Sequence, residues 1–305
     1  MNMKTQRIVW LDIAKGIAIC LMVLGHTSIP PFLSNFIWAF HMPLFFIASG
    51  WTTNWENPSL KIFLKKKFKG LMIPFFIYSM IVFIIESIVG WNTLSHFVCR
   101  GWEGYALWFI PVLFFALICS QVILKITSVK LRYILCGGGL LVGCVLSYYR
   151  LYLPWAFSSV PFATIMILVG KQIKIYQDKI SNPRMEILLS LLVLTMVISH
   201  FWRLDICFNH ILPVIPIIIG AVAGSVMIFM FSSLISRRSK ILSKAFMKIG
   251  LETYVVLAFS QIIIRLENEY SSFNVFTKYL VMLIILVALV IIKNKINNKL
   301  KIKIL

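Results

Sequence analysis

The chain consists of long apolar runs separated by short basic segments, and this alternation is the feature that most constrains its fold. Hydrophobic residues make up 60% of the 305 residues and charged residues only 13%, whereas a soluble chain carries about 25% charged residues. A helix needs about 20 apolar residues to cross the hydrocarbon core of a bilayer. The sequence therefore predicts an all-α, polytopic membrane protein.

Ten apolar runs are predicted as transmembrane helices, and the basic residues predict their orientation. The runs cover residues 9–28, 33–53, 71–90, 105–124, 131–149, 153–173, 186–203, 210–234, 249–266 and 276–293. With a cytoplasmic N-terminus, 24 of the 30 Lys and Arg residues fall in cytoplasmic segments and 5 in external segments. Since Lys and Arg concentrate in cytoplasmic loops, both termini are predicted to be cytoplasmic, and the net charge of +20 needs no nucleic-acid partner.

The first run, "LDIAKGIAICLMVLGH", holds three ionisable residues: Asp12, Lys15 and His26. A charged group in the middle of a bilayer costs roughly 2.5–3.5 kcal/mol on insertion scales, so such residues are usually functional. On a helix, Lys15 and His26 differ by only about 20° in direction and lie about 16 Å apart along the axis. The three residues therefore form one polar stripe.

Two interpretations of this stripe are open. In the first, Asp12 and Lys15 form a local ion pair and His26 caps the end of the helix. In the second, which we favour, the stripe faces a cavity.

The second run, "FHMPLFFIASGW", places His41 well inside the predicted bilayer. Pro43 cannot donate a hydrogen bond to Ala39, so the helix can kink or open beside His41. The link between the first two runs is short, which predicts an antiparallel hairpin. His26 and His41 are then predicted to line one cavity at different depths, although His41 alone fits a hydrogen-bonded core histidine equally well.

An imidazole beside a membrane cavity suits two activities. A neutral His is a good general base for a hydroxyl, and basic groups on the cytoplasmic side suit a phosphate-bearing donor. Together they fit transfer of an acyl group from a cytoplasmic carrier to an external or lipid-linked hydroxyl. A proton-coupled small-molecule transporter of the cytoplasmic membrane fits the same residues, and physical reasoning alone leaves both possibilities open.

Several segments in order resemble the membrane acyltransferase family 3, and within it the fucose 4-O-acetylase-like subgroup. The specific ones are "LDIAKGIAICLMVLGH" and "FHMPLFFIASGW"; weaker ones are "KKKFKGLMIPF", "LWFIPVLFF", "LPWAFSSVPFATIMILVGK" and "IGLETYVVLAFSQI". The resemblance implies a ten-helix fold, acetyl-CoA as co-substrate with no permanently bound cofactor, and O-acetylation of a cell-surface glycan or its lipid-linked precursor.

The resemblance also implies roles for individual residues. The family has a basic residue and a His with ten residues between them, and here these positions are Lys15 and His26. Lys15 is expected to contact the acyl donor, Asp12 to orient Lys15 or the donor, and His26 to be the catalytic base, with His41 as the second catalytic candidate. No metal site is expected.

Two positions depart from the family pattern. The basic residue is commonly Arg, and Lys15 binds phosphate as a point charge without the bidentate fork of Arg. Near the ninth run many relatives have "AFHQ" where this chain has "AFSQ", so Ser260 replaces a His and cannot act as a comparable base.

Candidate acceptor contacts lie in two external segments. "WNTLSHFVCRGWEGYALWF" contains Glu103 and Trp108, and "SHFWRLDICFNH" contains Arg203 and Asp205. Aromatic faces with neighbouring polar groups suit sugars, but aromatic residues at a membrane interface are also common anchors. The chain is expected to be a single integral membrane domain over residues 1–305, without a soluble extracytoplasmic domain, in the cytoplasmic membrane of a bacterium.

The predicted topology can be tested by cysteine labelling from outside the cell. A single cysteine in the link at 28–32 should react with a membrane-impermeant maleimide, and one at Lys240 should react only after permeabilisation. Labelling of position 240 in intact cells would overturn the assignment of sides.

Overall fold

A computed structural model of the chain describes residues 7–56, 59–91, 105–272 and 274–300. Within these residues the secondary structure is helical apart from one isolated β-bridge between Asp205 and His210. The α-helices are α1 (Val9–Gly25), α2 (Pro31–Thr52), α3 (Leu60–Lys67), α4 (Ile73–Val89), α5 (Phe109–Lys125), α6 (Val129–Tyr148), α7 (Val160–Ile173), α8 (Gln177–Ser181), α9 (Met185–Phe201), α10 (Val214–Arg238), α11 (Lys240–Leu251), α12 (Thr253–Tyr270) and α13 (Val275–Leu300).

Short helical turns of other types join some of these helices. A π-helical turn, Phe68–Met72, connects α3 to α4 without a break in the chain of helical residues. Three 3₁₀ turns precede α5, α7 and α8, at Tyr105–Trp108, Pro154–Ser159 and Lys174–Tyr176. The Pro154–Ser159 turn contains two residues with positive φ, Trp155 and Ala156.

The helices confirm an all-α polytopic membrane protein. Among the described residues, seven helical segments are long and apolar enough to cross a bilayer, or eight if α11 and α12, which meet at a bend of 78°, form one broken span. The two other predicted spans correspond to α1 and α9, which have 17 residues each. Every predicted run thus overlaps a helix. That the chain crosses the membrane ten times stays a prediction.

The chain forms two compact units that alternate along the sequence. The first consists of Met1–Thr52, Val169–Leu204 and Pro213–Thr253, and the second of Thr53–Leu168, Asp205–Leu212 and Tyr254–Leu305. In the first unit α1 packs against α2, α10 and α11, and α2 also packs against α9 and α10. Fully buried apolar side chains such as Ile13, Phe40 and Phe229 form its core.

The second unit is held together by polar contacts as well as apolar ones. The Tyr254 hydroxyl at the start of α12 donates a hydrogen bond to the Leu71 carbonyl oxygen, at 2.8 Å. At the other end of α12, Arg265 donates to the Tyr105 hydroxyl at 2.9 Å and pairs with the Glu86 carboxylate at 3.8 Å. These contacts join α12 to the π-helical turn before α4, to α4 itself and to the 3₁₀ turn before α5.

Two glycines let α1 and α11 touch backbone to backbone. A Cβ atom on Gly16 would overlap the Phe246 carbonyl oxygen, and one on Gly250 would overlap the carbonyl oxygen of Asp12. Small residues permit this close approach between helices in membranes, where van der Waals packing drives association. The crossing therefore fixes the segment of α1 that carries Asp12 and Lys15.

Substitution of Gly250 by Ala should destabilise the first unit. The added methyl group meets backbone, which cannot rotate away, and such overpacking typically costs about 1–3 kcal/mol. We expect Gly250→Ala to lower the thermal midpoint of the purified protein. Gly138→Ala in α6 is the matched control, because a Cβ there meets nothing within 4 Å. Equal midpoints for the two variants would show that the crossing is not a tight constraint.

Candidate functional site

The cytoplasmic end of α1, as the charge distribution assigns it, carries a three-residue ionic cluster. The Asp12 carboxylate accepts a hydrogen bond from Arg7 Nε at 2.7 Å and pairs with Lys15 Nζ at 3.5 Å. The Asp12 side chain is only 12% exposed. A largely buried charge is stable only when it is paired. Arg7 and Lys15 therefore both stabilise the Asp12 carboxylate.

A cavity of about 640 Å³ opens beside this cluster. Its charged lining residues are Arg7, Asp12, Lys15 and Lys174, so three cations and one carboxylate line it in the described part of the chain. Its other lining residues are Ile8, Val9, Trp10, Leu11, Trp51, Thr52 and Gln177. The excess of positive charge makes this cavity suitable for an anion.

Two tryptophans form the apolar wall of the cavity. Trp10 and Trp51 meet edge to face, with ring centroids 5.2 Å apart, and Phe229 packs behind both. Both indoles are largely buried, so their positions are set by core packing. The wall is therefore rigid, while the cations at the opening keep partial solvent contact.

The pairing of Asp12 with Lys15, which belongs to the interpretation that we did not favour, is present beside the cavity. The local ion pair of the first interpretation is thus formed at this end of α1, since Lys15 lies within ion-pair distance of Asp12. The same two residues also line the cavity with Arg7 and Lys174. A purely local pair would not need those two further cations.

The other end of α1 carries an aromatic cluster, which we call the Trp38 cluster: His26, Trp38, His41 and Arg203. His26 is the first residue after α1 and is exposed. Its ring lies 5.4 Å from the Trp38 ring, and the His41 ring lies 5.9 Å from the same indole. The predicted hairpin of α1 and α2 therefore brings both histidines to one side chain.

Trp38 is fixed to α1 by a hydrogen bond. Its indole Nε1 donates to the carbonyl oxygen of Gly25 at 3.2 Å. Gly25 is the last residue of α1, and a Cβ there would press on the Trp38 indole and on Ile37. The C-terminal carbonyl groups of a helix lack partners within the helix, and Trp38 satisfies one of them next to His26.

The two histidines differ in exposure. His41 is 4% exposed, and its Nδ1 donates to the Ile37 carbonyl oxygen at 2.9 Å. This bond leaves Nε2 of a neutral His41 as the acceptor nitrogen. Among the described residues, the His26 ring makes no hydrogen bond. Of these two histidines, His26 therefore offers the more accessible imidazole. The helix α2 continues through Pro43 without a break.

The polar stripe of α1 is interrupted between its two ends. Ile19 and Met22 lie on the same face as Lys15 and His26, and both are at most 1% exposed. Between Lys15 and His26, the residues of α1 that are not fully buried are Cys20, Leu21 and Leu24, which lie on another face of the helix. The stripe is thus two polar sites about 16 Å apart, rather than one continuous cavity.

The remaining candidate residues lie in different places. Arg203 belongs to the Trp38 cluster, with its guanidinium carbon 4.3 Å from the centre of the Trp38 ring. Asp205 and Trp108 belong to the second unit, where Trp108 is 7% exposed and the Asp205 carboxylate accepts a hydrogen bond from the Phe208 amide at 3.3 Å. Glu103 lies outside the described residues. Ser260 is buried in α12.

Sequence reasoning missed three residues of these sites. In the sequence, Arg7 and Lys174 indicate only the topology, because both lie outside α1 and helical spacing does not relate them to Asp12 and Lys15. Trp38 could have been found, since it lies three residues before His41 and therefore on the same face of α2.

A family model described as an acyltransferase domain, that of the acyltransferase 3 family, matches residues 8–294. The match begins just before α1 and ends within α13, so it includes both ends of α1 and the Trp38 cluster. No curated protein and no solved structure matches the chain.

Proposed function

The chain belongs to the acyltransferase 3 family, and from this premise we propose that it is a membrane O-acetyltransferase that modifies a cell-envelope carbohydrate. It takes acetyl from cytoplasmic acetyl-CoA and delivers it to a hydroxyl of a cell-surface glycan or of its lipid-linked precursor. The bacterial cytoplasmic membrane is the compartment where both substrates meet. The observation that carries the proposal is the pair of sites on one helix, a cationic cavity at one end of α1 and an exposed imidazole at the other.

The cationic cavity supports a phosphate-bearing donor. Guanidinium and ammonium groups bind phosphate by charge-assisted hydrogen bonds, and Arg7, Lys15 and Lys174 supply three such groups. A volume of about 640 Å³ lies in the range of small-molecule sites, roughly 300–1,000 Å³. The positive charge of the cavity favours binding of the phosphate-bearing nucleotide part of acetyl-CoA.

Asp12 organises the cavity instead of binding the donor directly. Its two carboxylate oxygens contact different cations, Oδ2 with Arg7 and Oδ1 with Lys15. An anion beside a phosphate would repel it, but this carboxylate is engaged by both cations. Asp12 thereby holds Arg7 and Lys15 at fixed positions at the edge of the cavity.

The exposed imidazole supports His26 as the general base. It takes the proton of the acceptor hydroxyl while the oxygen attacks the carbonyl carbon of the thioester. The tetrahedral intermediate then expels the thiolate of coenzyme A, which receives the proton from His26. His41 is buried and bonded to the backbone, and its role is to position the Trp38 cluster.

The thioester must travel from the cavity to His26. The face of α1 with Ile19 and Met22 is closed by packing, whereas Cys20, Leu21 and Leu24 are at least partly accessible. In this proposal the thin, flexible pantetheine arm of the donor passes along this second face. A transporter, the alternative for these residues, would need no acyl donor and is not the activity of the family.

The direct test of this function is the acetyl content of the envelope carbohydrate. Mass spectrometry of glycan from cells with and without the gene should differ by one acetyl group per repeat. Purified protein in nanodiscs should also transfer label from [¹⁴C]acetyl-CoA to that glycan. Identical glycan masses and no transfer of label would reject the proposal.

Lys15→Ala should raise the KM for acetyl-CoA, because the variant loses one of the cations that line the cavity. Lys15→Arg should keep appreciable activity, since it retains the charge. Lys244→Ala, which removes an exposed lysine of α11 away from the cavity, is the matched control and should leave the donor KM unchanged. Normal abundance with unchanged donor kinetics in Lys15→Ala would eliminate the donor role.

His26→Gln should nearly abolish acetyl transfer and leave protein abundance near the wild-type level. Glutamine keeps hydrogen bonding but is not a base near neutral pH, and a general base contributes about 10²–10⁴-fold in rate, equivalent to about 2.7–5.5 kcal/mol. His200→Gln at the end of α9 is the control, because this exposed histidine is outside the Trp38 cluster. A rate within a few-fold of wild type for purified His26→Gln would show that His26 serves only as a helix cap.

A further inference from the structure

Arg203 is an exposed residue that packs against an aromatic ring of the Trp38 cluster. It follows α9 by two residues, and its guanidinium carbon Cζ lies over Trp38, 4.3 Å from the ring centre. Arg203 is exposed, and the described residues offer it no carboxylate within ion-pair distance. Its positive charge is therefore available to a substrate.

Trp38 holds this charge close to the accessible imidazole. The Trp38 ring contacts His26 through a T-shaped arrangement at 5.4 Å while its face carries Arg203. The bond from Trp38 Nε1 to the Gly25 carbonyl oxygen ties the indole to the end of α1. One ring thus contacts both the imidazole of His26 and the guanidinium of Arg203.

A cation near the reacting atoms matches the negative charge that develops on the thioester carbonyl oxygen during acyl transfer. As the acceptor oxygen bonds to the thioester carbon, its proton moves to His26 and the carbonyl π electrons move onto the carbonyl oxygen. That oxygen becomes an anion until the carbonyl reforms and the C–S bond breaks. Donors aimed at this anion are usually the largest single contribution to such catalysis, and Arg offers five N–H groups.

We propose that Arg203, held in place by the Trp38 indole, stabilises the oxyanion of the tetrahedral intermediate in the His26-dependent transfer. This inference rests on the proposed acetyltransferase function and adds a catalytic residue, Arg203, and a positioning residue, Trp38. It replaces the prediction from sequence that Arg203 binds the acceptor.

The proposal is tested with purified protein in nanodiscs, [¹⁴C]acetyl-CoA and the envelope glycan as acceptor. Arg203→Gln should lower kcat by about 10²–10³-fold, the usual effect of losing an oxyanion donor, with little change in the KM of either substrate. Arg203→Lys should recover part of that loss, since it restores the charge. Arg150→Asn is the control: it removes another exposed arginine from a predicted external segment, at a backbone φ of 52° that Asn tolerates.

Chemical rescue separates an electrostatic role from a structural one. Because Arg203 is exposed, millimolar guanidinium should raise the rate of Arg203→Ala, and it should not raise the rate of His26→Ala. In the Trp38→Ala background, Arg203→Gln should cost only a few-fold, since the guanidinium is no longer held in place. If the loss of kcat in the double variant equals the product of the losses in the two single variants, the positioning role of Trp38 is overturned.

Each result leads to a distinct conclusion. An unchanged kcat in Arg203→Gln, with wild-type protein active, overturns the oxyanion role and leaves the acetyltransferase function standing. A raised acceptor KM with unchanged kcat overturns it in favour of acceptor binding. Absence of any acetyl transfer by the wild-type protein rejects the proposed function, and the oxyanion role with it.

Discussion

The backbone crossing of α1 and α11 is the constraint on which both ends of α1 depend. Gly16 and Gly250 let the two helices approach until a side chain on either would overlap a carbonyl oxygen. This contact places the first turns of α1, and with them Asp12 and Lys15. Since α1 is one uninterrupted helix, the same contact also fixes where His26 meets Trp38.

The charges in α1 are stabilised by their neighbours and at the same time kept available. The Asp12 carboxylate contacts two cations, so its burial does not leave an isolated charge. Arg7 and Lys15 nevertheless keep access to the cavity because their side chains are 53% and 25% exposed. At the other end, Trp38 satisfies the Gly25 carbonyl oxygen and contacts the His26 ring, which makes no hydrogen bond among the described residues. The polar groups at both ends of α1 are thus held in place by neighbouring residues and remain available to a ligand.

Much of the fold could be predicted because apolar length and helix spacing are local properties. Each apolar run became a helix, and the ion pair of Asp12 and Lys15 follows from their separation of three residues. The polar stripe was only partly informative. Ile19 and Met22 lie on the same helical face, and tertiary packing buries them between the two polar ends. Lys174 and Arg203 reach their sites through tertiary contacts between distant segments, whereas Arg7 reaches Asp12 from just before α1. A lysine or arginine in a loop carries no signal that separates topology from binding.

We propose that α1 connects a donor site on one side of the membrane with an acceptor site on the other. Proteoliposomes that enclose the envelope glycan test it when [¹⁴C]acetyl-CoA is supplied only from outside. Vesicles whose protein has its cytoplasmic side outward should accumulate labelled glycan in the lumen, and His26→Gln vesicles should not. Label that reaches glycan only when glycan and donor share the same side of the membrane would contradict the account.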